Sequence, residues 1–444
     1  MRKILATLLA ICLLAGGFAI AEERTPEAFA LDVLRDLADG KWEDVFARSD
    51  AVIKEALGSA DGYRELWAQA TDAMGSFLEA SAGESEQLDG FTLAYVDCAF
   101  EAADAVILIA VSENWEVSGI SIASITPKET NEAVDGKFVE EAIQLRPNAQ
   151  DATDGLLTLP LGDGPFPAVI MVHGSGPSDM NETALANAPF RDLARGLAEL
   201  GVASLRYDKF TFAHPELIGA DFTVEKEYVY DALDAAQLLL ADERIGKIYI
   251  LGHSMGAMLA PRVMTALLPE AGDRLAGAVL LSGTPLHLWE VQYQQNLDVL
   301  AKLEGDEKTQ GEALVAAELD KFAALAQLTD EQRMAETFFG VPSYYQVDEM
   351  SVDPIETASA LGLPLFIAQG AKDWQVKPEN GIELWKAQLP EALDASFHLY
   401  ADMNHMLSDM EGEPTGTSSD YMDADAHVSA ELIEDIAEWI SSKG

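Results

Sequence analysis

Three residues that could carry acyl-transfer chemistry, a serine, an aspartate and a histidine, occur in that order in the second half of this chain. Ser254 lies between Gly252 and Gly256 in a Gly-x-Ser-x-Gly pattern, and Asp373 and His405 each follow an apolar stretch. An imidazole can take the proton of a serine hydroxyl, and a carboxylate can hold that imidazole in the required tautomer. We therefore predict Ser254 as nucleophile, His405 as base and Asp373 as the acid that orients the base.

The sequence around Ser254 is typical of such a nucleophile. The apolar run Ile248–Leu251 predicts a strand, and Ala257–Leu268 predicts a helix. A serine on a sharp strand-to-helix turn is presented at the edge of a sheet, and the turn has little room for neighbouring Cβ atoms. The two flanking glycines are therefore expected from the geometry of the turn.

Acyl transfer also needs donors for the oxyanion that forms on the substrate carbonyl. One donor is expected to be the backbone N–H of Met255, directly after the predicted nucleophile. The second is expected in the glycine-rich stretch His173-Gly174-Ser175-Gly176-Pro177, which follows the apolar run Pro167–Val172. Its glycines allow close approach of the backbone to a substrate, and we predict the N–H of Ser175 as this donor.

Other ionisable residues are weaker candidates for the two supporting roles. Asp208, within Arg206-Tyr207-Asp208-Lys209, is expected to form an ion pair that fixes a loop, and Glu290 falls in the predicted cap. His427 begins the last predicted helix, where it either reaches the cleft or is a hydrogen-bonded histidine at the helix start. The remaining histidines are expected in glycine turns (His173, His253), within a strand (His398) or on surface loops (His214, His287).

Apolar strands alternate with amphipathic helices from about residue 136 onward. Strands are predicted at Pro167–Val172, Val202–Tyr207, Ile248–Leu251, Ala276–Leu281 and Pro364–Ala368, with helices such as Pro189–Leu200 and Val224–Ala241 between them. This alternation indicates an α/β fold, a mostly parallel sheet covered on both faces. The earlier stretches Phe138–Leu145 and Gly155–Leu161 predict an antiparallel start to the sheet.

A long segment, about 285–360, breaks the alternation and predicts a helical cap over the sheet edge. It contains apolar residues at helical spacing and a Thr329-Asp330-Glu331-Gln332 capping box. Its aromatic residues could line a substrate cavity or form the core of the cap: Trp289, Tyr293, Phe338, Phe339, Tyr344 and Tyr345.

Residues 136–444 resemble the α/β-hydrolase superfamily, bacterial esterase type, of the dienelactone-hydrolase and serine-aminopeptidase-like branch. The motifs that carry the resemblance are HGSGP at 173–177, PFRDLA at 189–194, RYDK at 206–209 and NHML at 404–407, together with the serine motif. The resemblance implies a Ser-Asp-His triad, two-step acyl transfer and no cofactor. It departs from common members at Met255 and Ala257, which should alter the shape of the pocket.

Residues 24–126 predict a separate, small α+β domain. Helical periodicity comes first, and strand-like stretches follow at Phe91–Phe100, Ala105–Val111 and Trp115–Ile122. This order resembles small domains of the cystatin and nuclear-transport-factor type. We expect a spacer or a dimerisation module, so that a homodimer is one expected state of the protein.

The first 21 residues are typical of an export signal. Arg2 and Lys3 precede the apolar run Ile4–Phe18, and Ala19-Ile20-Ala21 is a small-x-small cleavage site. We expect an exported protein, secreted or periplasmic, with no membrane span after cleavage. Of the two cysteines, Cys98 alone would remain, which leaves no internal disulfide.

The composition restricts the partners of this chain. The chain has 76 acidic and 28 basic residues, a formal net charge of −48, which disfavours binding to nucleic acid and to anionic lipid. No His-Glu-x-x-His or Cys-x-x-Cys pattern predicts a metal site. The sequence therefore predicts an exported serine hydrolase that cleaves carboxylic esters. The alternatives are an aminopeptidase-like peptidase, an acyltransferase and a non-catalytic binding protein on a hydrolase scaffold.

Overall fold

Residues 25–88, 91–101, 103–127, 136–423 and 425–443 are described by the computed structural model of this chain. The chain divides into two units, with the boundary between residues 128 and 129. The predicted signal peptide, residues 1–21, lies outside the described residues. Within the described ranges, no helix is both long enough and apolar enough to cross a membrane.

The first unit begins with four helices: α1 (Pro26–Ala38), α2 (Trp42–Ala47), α3 (Ala51–Leu57) and α4 (Asp61–Met74). Thr25 caps α1, because its side chain accepts a hydrogen bond from the N–H of Ala28. Phe29, Val33 and Leu34 of this helix are buried and form part of the core of the unit, as their helical spacing predicts.

A four-stranded antiparallel sheet follows, in the order β1 (Phe77–Leu88), β2 (Phe91–Phe100), β3 (Ala103–Ser112) and β4 (Val117–Pro127). Strand β1 is not predictable from the sequence, because the polar residues of this edge strand obscure its alternation. The predicted strand Trp115–Ile122 begins too early, since Trp115 lies in a turn with φ of 61°. Helices followed by an antiparallel sheet form a small α+β unit.

The second unit contains one eight-stranded sheet. Its strands are β5 (Phe138–Leu145), β6 (Thr153–Pro160), β7 (Phe166–Val172), β8 (Ala203–Tyr207), β9 (Ile245–His253), β10 (Leu275–Leu281), β13 (Leu365–Gly370) and β14 (Ala395–Tyr400). Across the sheet they lie in the order β14-β13-β10-β9-β7-β8-β6-β5. The strands from β7 onward pair in parallel, whereas β5 and β6 pair antiparallel. The predicted α/β architecture with an antiparallel start is confirmed.

Helices cover both faces of this sheet, and the short helix α6 (Phe210–Ala213) follows β8. One face packs against α5 (Pro189–Glu199) and α15 (Ala430–Lys443), and the other against α7 (Tyr230–Ala241) and α8 (Met255–Ala271), with α13 (Pro354–Leu361) and α14 (Ile382–Gln388). In β7, Val169 and Met171 face the first pair of helices, and Ile170 faces the second set. Both faces of a strand are therefore buried, which explains the continuous apolar runs in the sequence.

The segment between β10 and β13 is mainly helical, with α9 (Leu288–Lys302), α10 (Gly305–Ala324), α11 (Asp330–Ala335) and α12 (Ser343–Glu349). It also contains a two-stranded ribbon, β11 (Thr337–Phe338) with β12 (Val341–Pro342), that the sequence analysis did not predict. A strand of two residues is too short for an alternating pattern. Helix α13 packs on α8, so it belongs to the layer that covers the sheet, and we use "cap" for residues 288–349.

Candidate active site

Ser254 lies on a sharp turn between β9 and α8. Its backbone has φ of 51° and ψ of −116°, a strained conformation for a residue with a Cβ, and its N–H donates to the carbonyl of Leu281 at 2.8 Å. A Cβ on Gly252 would lie 2.2 Å from the carbonyl oxygen of Gly256, and one on Gly256 would lie 2.1 Å from that of Val172. Both positions therefore require glycine.

The structure brings His405 and Asp373 together at the carboxyl ends of β14 and β13. His405 Nδ1 lies 2.8 Å from Asp373 Oδ2, and both side chains are almost fully buried. The other oxygen of Asp373 accepts hydrogen bonds from the N–H groups of Gln375 and Val376. A carboxylate held in this way keeps the proton of His405 on Nδ1 and leaves Nε2 able to accept one.

Ser254 and His405 line the same cavity, which has a volume of about 390 Å³. Ser175 and Met255, the residues of the two predicted oxyanion donors, also line it. Met255 is the first residue of α8, where an N–H has no acceptor within the helix and the helix dipole favours negative charge. A Cβ on Gly174 would lie 3.2 Å from the Cβ of Ser254, so the glycine-rich loop directly contacts the serine turn.

The far walls of the cavity come from the cap. These cap residues are Leu288, Val291, Gln292, Gln295, Val341, Pro342 and Tyr345. Of the six aromatic residues that could have lined it, Tyr345 does so. Trp289 and Phe338 instead pack with Phe322 inside the cap, with ring centroids 4.2 and 5.4 Å from that ring.

His253, which the sequence analysis assigned to a turn, connects two parts of the site. Its Nε2 donates to the carbonyl of His405 at 2.9 Å, and its Nδ1 lies 3.0 Å from Glu182 Oε2. Burial acts to lower the pKa of His253, but the carboxylate of Glu182 outweighs burial and raises it. A protonated ring fits both contacts, because each ring nitrogen faces an oxygen acceptor.

Lys209, rather than the predicted Asp208, makes a buried ion pair beside the glycine-rich loop. Its Nζ forms a buried ion pair with Glu227 at 2.7 Å, whereas Asp208 accepts from the N–H of Met180 and burial raises the pKa of Asp208 to about 6. Glu227 lies on a single π-helical turn, Glu225–Val229, within the stretch predicted as regular helix. The position of Lys209 directly after β8, at the edge where Asp373 and His405 also lie, is the sequence signal that could have identified it.

Among the described histidines, His405 is the one that lines the cavity. His427 pairs with Asp192 at 2.9 Å and is mostly exposed. His287 lies in the loop before α9 with its side chain partly exposed, and its Nδ1 lies 3.0 Å from the buried Glu349. In the described part of the chain, no three His, Cys, Asp or Glu side chains are grouped so that they could hold a metal ion.

A family model described as serine aminopeptidase, S33 (Hydrolase_4) matches residues 165–413, more than half of the chain. The chain belongs to this family. Together with the eight-stranded sheet, the S33 assignment makes the second unit an α/β-hydrolase and the protein a serine hydrolase.

Individual relatives carry esterase names. Esterase EstD of Thermotoga maritima is 29% identical over 422 residues, which cover 93% of this chain and 94% of that protein. Among solved structures, the Pyrococcus furiosus esterase PF2001 is 15% identical with a TM-score of 0.40, covering 69% of this chain and 91% of that one. Est1E from Butyrivibrio proteoclasticus is 15% identical with a TM-score of 0.41, covering 68% and 99%.

Proposed function

We propose that this protein hydrolyses carboxylic esters through an acyl-enzyme on Ser254. The observation that carries the proposal is the placement of His405, held by Asp373 at 2.8 Å, on the wall of the cavity that Ser254 also lines. In the first step Ser254 Oγ attacks the acyl carbon, and its proton passes to His405 Nε2. The alcohol then leaves with that proton.

The second step returns the enzyme to its starting state. Water attacks the acyl carbon and gives a proton to His405, the carboxylic acid departs, and Ser254 regains its proton. The N–H groups of Met255 and Ser175 stabilise the negative oxygen in both steps. No cofactor takes part in this sequence.

Esters are favoured over amino-terminal peptides by the charge of the cavity. A peptidase that trims amino termini needs a free carboxylate for the substrate ammonium. Among the described residues that line the cavity, Glu227 is the one carboxylate, and the ammonium of Lys209 already neutralises it at 2.7 Å. A second cation there would be repelled by Lys209. The similarity to EstD over nearly the whole chain supports the same choice.

A fluorophosphonate probe, which reacts with activated serines, tests the nucleophile. The wild type is expected to be labelled and Ser254→Ala to remain unlabelled, with kcat for p-nitrophenyl acetate reduced by about 10⁵ to 10⁶. Ser351→Ala, which changes an exposed serine after the cap, is the matched control and should react like the wild type. Equal labelling of Ser254→Ala would refute the assignment.

A matched substrate panel distinguishes the rival activities. Short-chain p-nitrophenyl esters are expected to give a higher kcat/KM than aminoacyl p-nitroanilides. A preference for the anilides would establish the peptidase alternative, and transfer to an added alcohol in place of water would establish an acyltransferase. If the folded protein turns over neither substrate class, the remaining alternative is a non-catalytic binding protein.

We also propose that the protein is exported after cleavage behind Ala21. Residues 24–126 would form a cystatin-like or nuclear-transport-factor-like spacer or dimerisation domain, and residues 136–444 the hydrolase domain with its cap at residues 288–349. Amino-terminal sequencing of the mature protein tests the cleavage site. Sedimentation of the full chain and of a chain lacking residues 22–124 tests whether the first domain forms a homodimer.

A further inference from the structure

Lys209 is a buried lysine with an unusual number of partners around the glycine-rich loop. Its side chain is 1% exposed. Its Nζ donates to the carbonyl oxygens of Gly174 at 2.8 Å and Gly176 at 2.9 Å and to Tyr228 Oη at 2.7 Å, besides its ion pair with Glu227. Two of these contacts hold backbone carbonyls of the loop that contains Ser175.

The contact with Gly174 determines the direction of the predicted oxyanion donor. The carbonyl of Gly174 and the N–H of Ser175 belong to one peptide unit, which is trans, and in a trans peptide these groups point in opposite directions. Lys209 and Tyr228 both donate to this carbonyl, at 2.8 and 2.9 Å. The N–H of Ser175 therefore points away from Lys209, and Ser175 lines the cavity beside Ser254.

The neighbouring peptide units of the loop are held as well. The N–H of Gly174 donates to Glu182 Oε1 at 2.5 Å, and the carbonyl of Gly176 is held by Lys209. The peptide after Gly176 has no N–H to orient, because Pro177 follows. Lys209 therefore controls the direction of one N–H group between Gly174 and Pro177, that of Ser175, because this N–H shares a peptide unit with the Gly174 carbonyl.

We propose that Lys209 is a positioning residue for the oxyanion hole: its ammonium holds the Gly174 carbonyl so that the Ser175 N–H faces the reacting carbonyl. This inference rests on the proposed ester hydrolysis. A cation on the carbonyl also polarises the peptide and strengthens its N–H as a donor. Tyr228 supports the same carbonyl, and Glu227 balances the buried charge.

A lysine that only completed a buried ion pair would behave differently on substitution. Burial lowers the pKa of Lys209 and Glu227 opposes that effect, so removing one partner leaves an uncompensated charge and destabilises the fold. Removing both charges together should restore stability. If Lys209 positions the donor, the double variant Lys209→Met/Glu227→Gln regains stability without regaining activity.

The experiment compares Lys209→Met, this double variant and Tyr228→Phe in the full chain. Lys247→Met is the matched control, because Lys247 donates to the carbonyl of Asp273 near the start of β9, at the opposite end of that strand from Ser254. For p-nitrophenyl acetate, kcat is expected to fall about 100-fold in the single and double Lys209 variants and about fivefold in Tyr228→Phe, with KM little changed.

Two inhibitors separate orientation of the donor from general damage. A trifluoromethyl ketone adds to the serine and places an oxyanion in the hole, whereas the matched methyl ketone stays largely unadded. In the Lys209 variants the affinity for the trifluoromethyl ketone should fall in proportion to kcat/KM. The affinity for the methyl ketone should stay within about twofold of wild type.

The proposal is overturned if the folded double variant keeps kcat within threefold of wild type. It is also overturned if the affinities for the two ketones fall by the same factor. Tyr228→Phe retains both charges, so it tests the orientation even if the Lys209 variants fail to fold, and unchanged trifluoromethyl ketone affinity in it would count against the proposal. If the proposed ester hydrolysis itself is wrong, the wild type would be inactive, or Ser254→Ala would be as active as the wild type.

Discussion

The cavity has two kinds of wall, the sheet edge and the cap, and they differ in the interactions that hold them. Around the sheet edge, three pairs join a carboxylate to an imidazole or an ammonium: His405–Asp373, His253–Glu182 and Lys209–Glu227, all with side chains less than a tenth exposed. The cap contributes mainly apolar side chains and neutral amides, such as Leu288, Val291, Gln292 and Tyr345.

This difference separates the chemistry from the choice of substrate. A buried hydrogen-bonded pair is directional, and loss of one member leaves the other unsatisfied, so the atoms at the sheet edge are held in one geometry. Apolar contacts have no preferred direction and tolerate changes of similar volume. The sheet edge should therefore control kcat, and the cap should control which acyl and alcohol groups fit.

Of the three variants that compare the sheet edge with the cap, Asp373→Asn at the sheet edge is expected to have the largest effect. The amide cannot hold the proton of His405 on Nδ1 as a carboxylate does, so kcat for p-nitrophenyl acetate should fall by about 10⁴. Steady-state kinetics measure this loss. Asp402→Asn is the control, since Asp402 is an exposed carboxylate paired with Lys372, and it should change kcat less than twofold. A loss below tenfold in Asp373→Asn would contradict the role of the sheet edge.

A smaller and selective effect is expected from Val291→Trp in the cap. The larger side chain fills part of the cavity, so kcat/KM for p-nitrophenyl octanoate should fall by about tenfold relative to the acetate, whose kcat stays close to wild type. Val299→Trp, an exposed position on the same helix α9, is the matched control. Equal losses for both esters would show that the cap also affects the chemistry.

The smallest effect is expected at the base of the cap, in His287→Gln. The hydrogen bond from His287 to Glu349, with further attraction from Glu290 and Asp353 and against the effect of burial, raises the pKa of His287 above 6.5. A histidine whose pKa is higher in the folded protein than in the unfolded chain stabilises the fold. This contribution is complete below pH 6.5 and is lost as the pH rises through the pKa of the folded protein. The free energy of unfolding of the wild type should therefore be higher than that of His287→Gln by about 1 kcal/mol at pH 5.5.

Thermal unfolding of both proteins at pH 5.5 and at pH 9 measures this difference. At pH 9 the two proteins should have nearly the same stability. Their kcat values for p-nitrophenyl acetate should be equal at pH 7.5. A difference that grows with pH would show that the pair is not ionic.

The order of the site residues along the chain was predictable because it depends on local patterns. Each of Ser254, Asp373 and His405 follows an apolar run, and the carboxyl ends of parallel strands meet at one edge of a sheet. The α/β sheet was predictable for a related reason, since strands buried on both faces give long apolar runs. The edge strand β1 was missed because its exposed face carries polar residues that interrupt the pattern.

The partners of the buried ionisable groups were not predictable in the same way. An ion pair was expected at Asp208, yet the neighbouring Lys209 forms one instead. Its partner Glu227 lies across an intervening loop, on a π-helical turn that regular helical spacing does not indicate. The sequence placed His287 in a loop but gave no sign of its contact with Glu349 on α12. These contacts join residues that are far apart in sequence.

The amino-acid sequence by itself determined which side chains stand at strand ends, where glycine is required and in what order the candidate nucleophile, acid and base occur, because these follow from periodicity and backbone sterics. The tertiary structure alone decided which carboxylate neutralises Lys209, which carbonyl His253 holds and where the N–H of Ser175 points. Those outcomes depend on how helices and loops pack around the sheet, and the direction of a peptide group is set by the partners that packing brings to it.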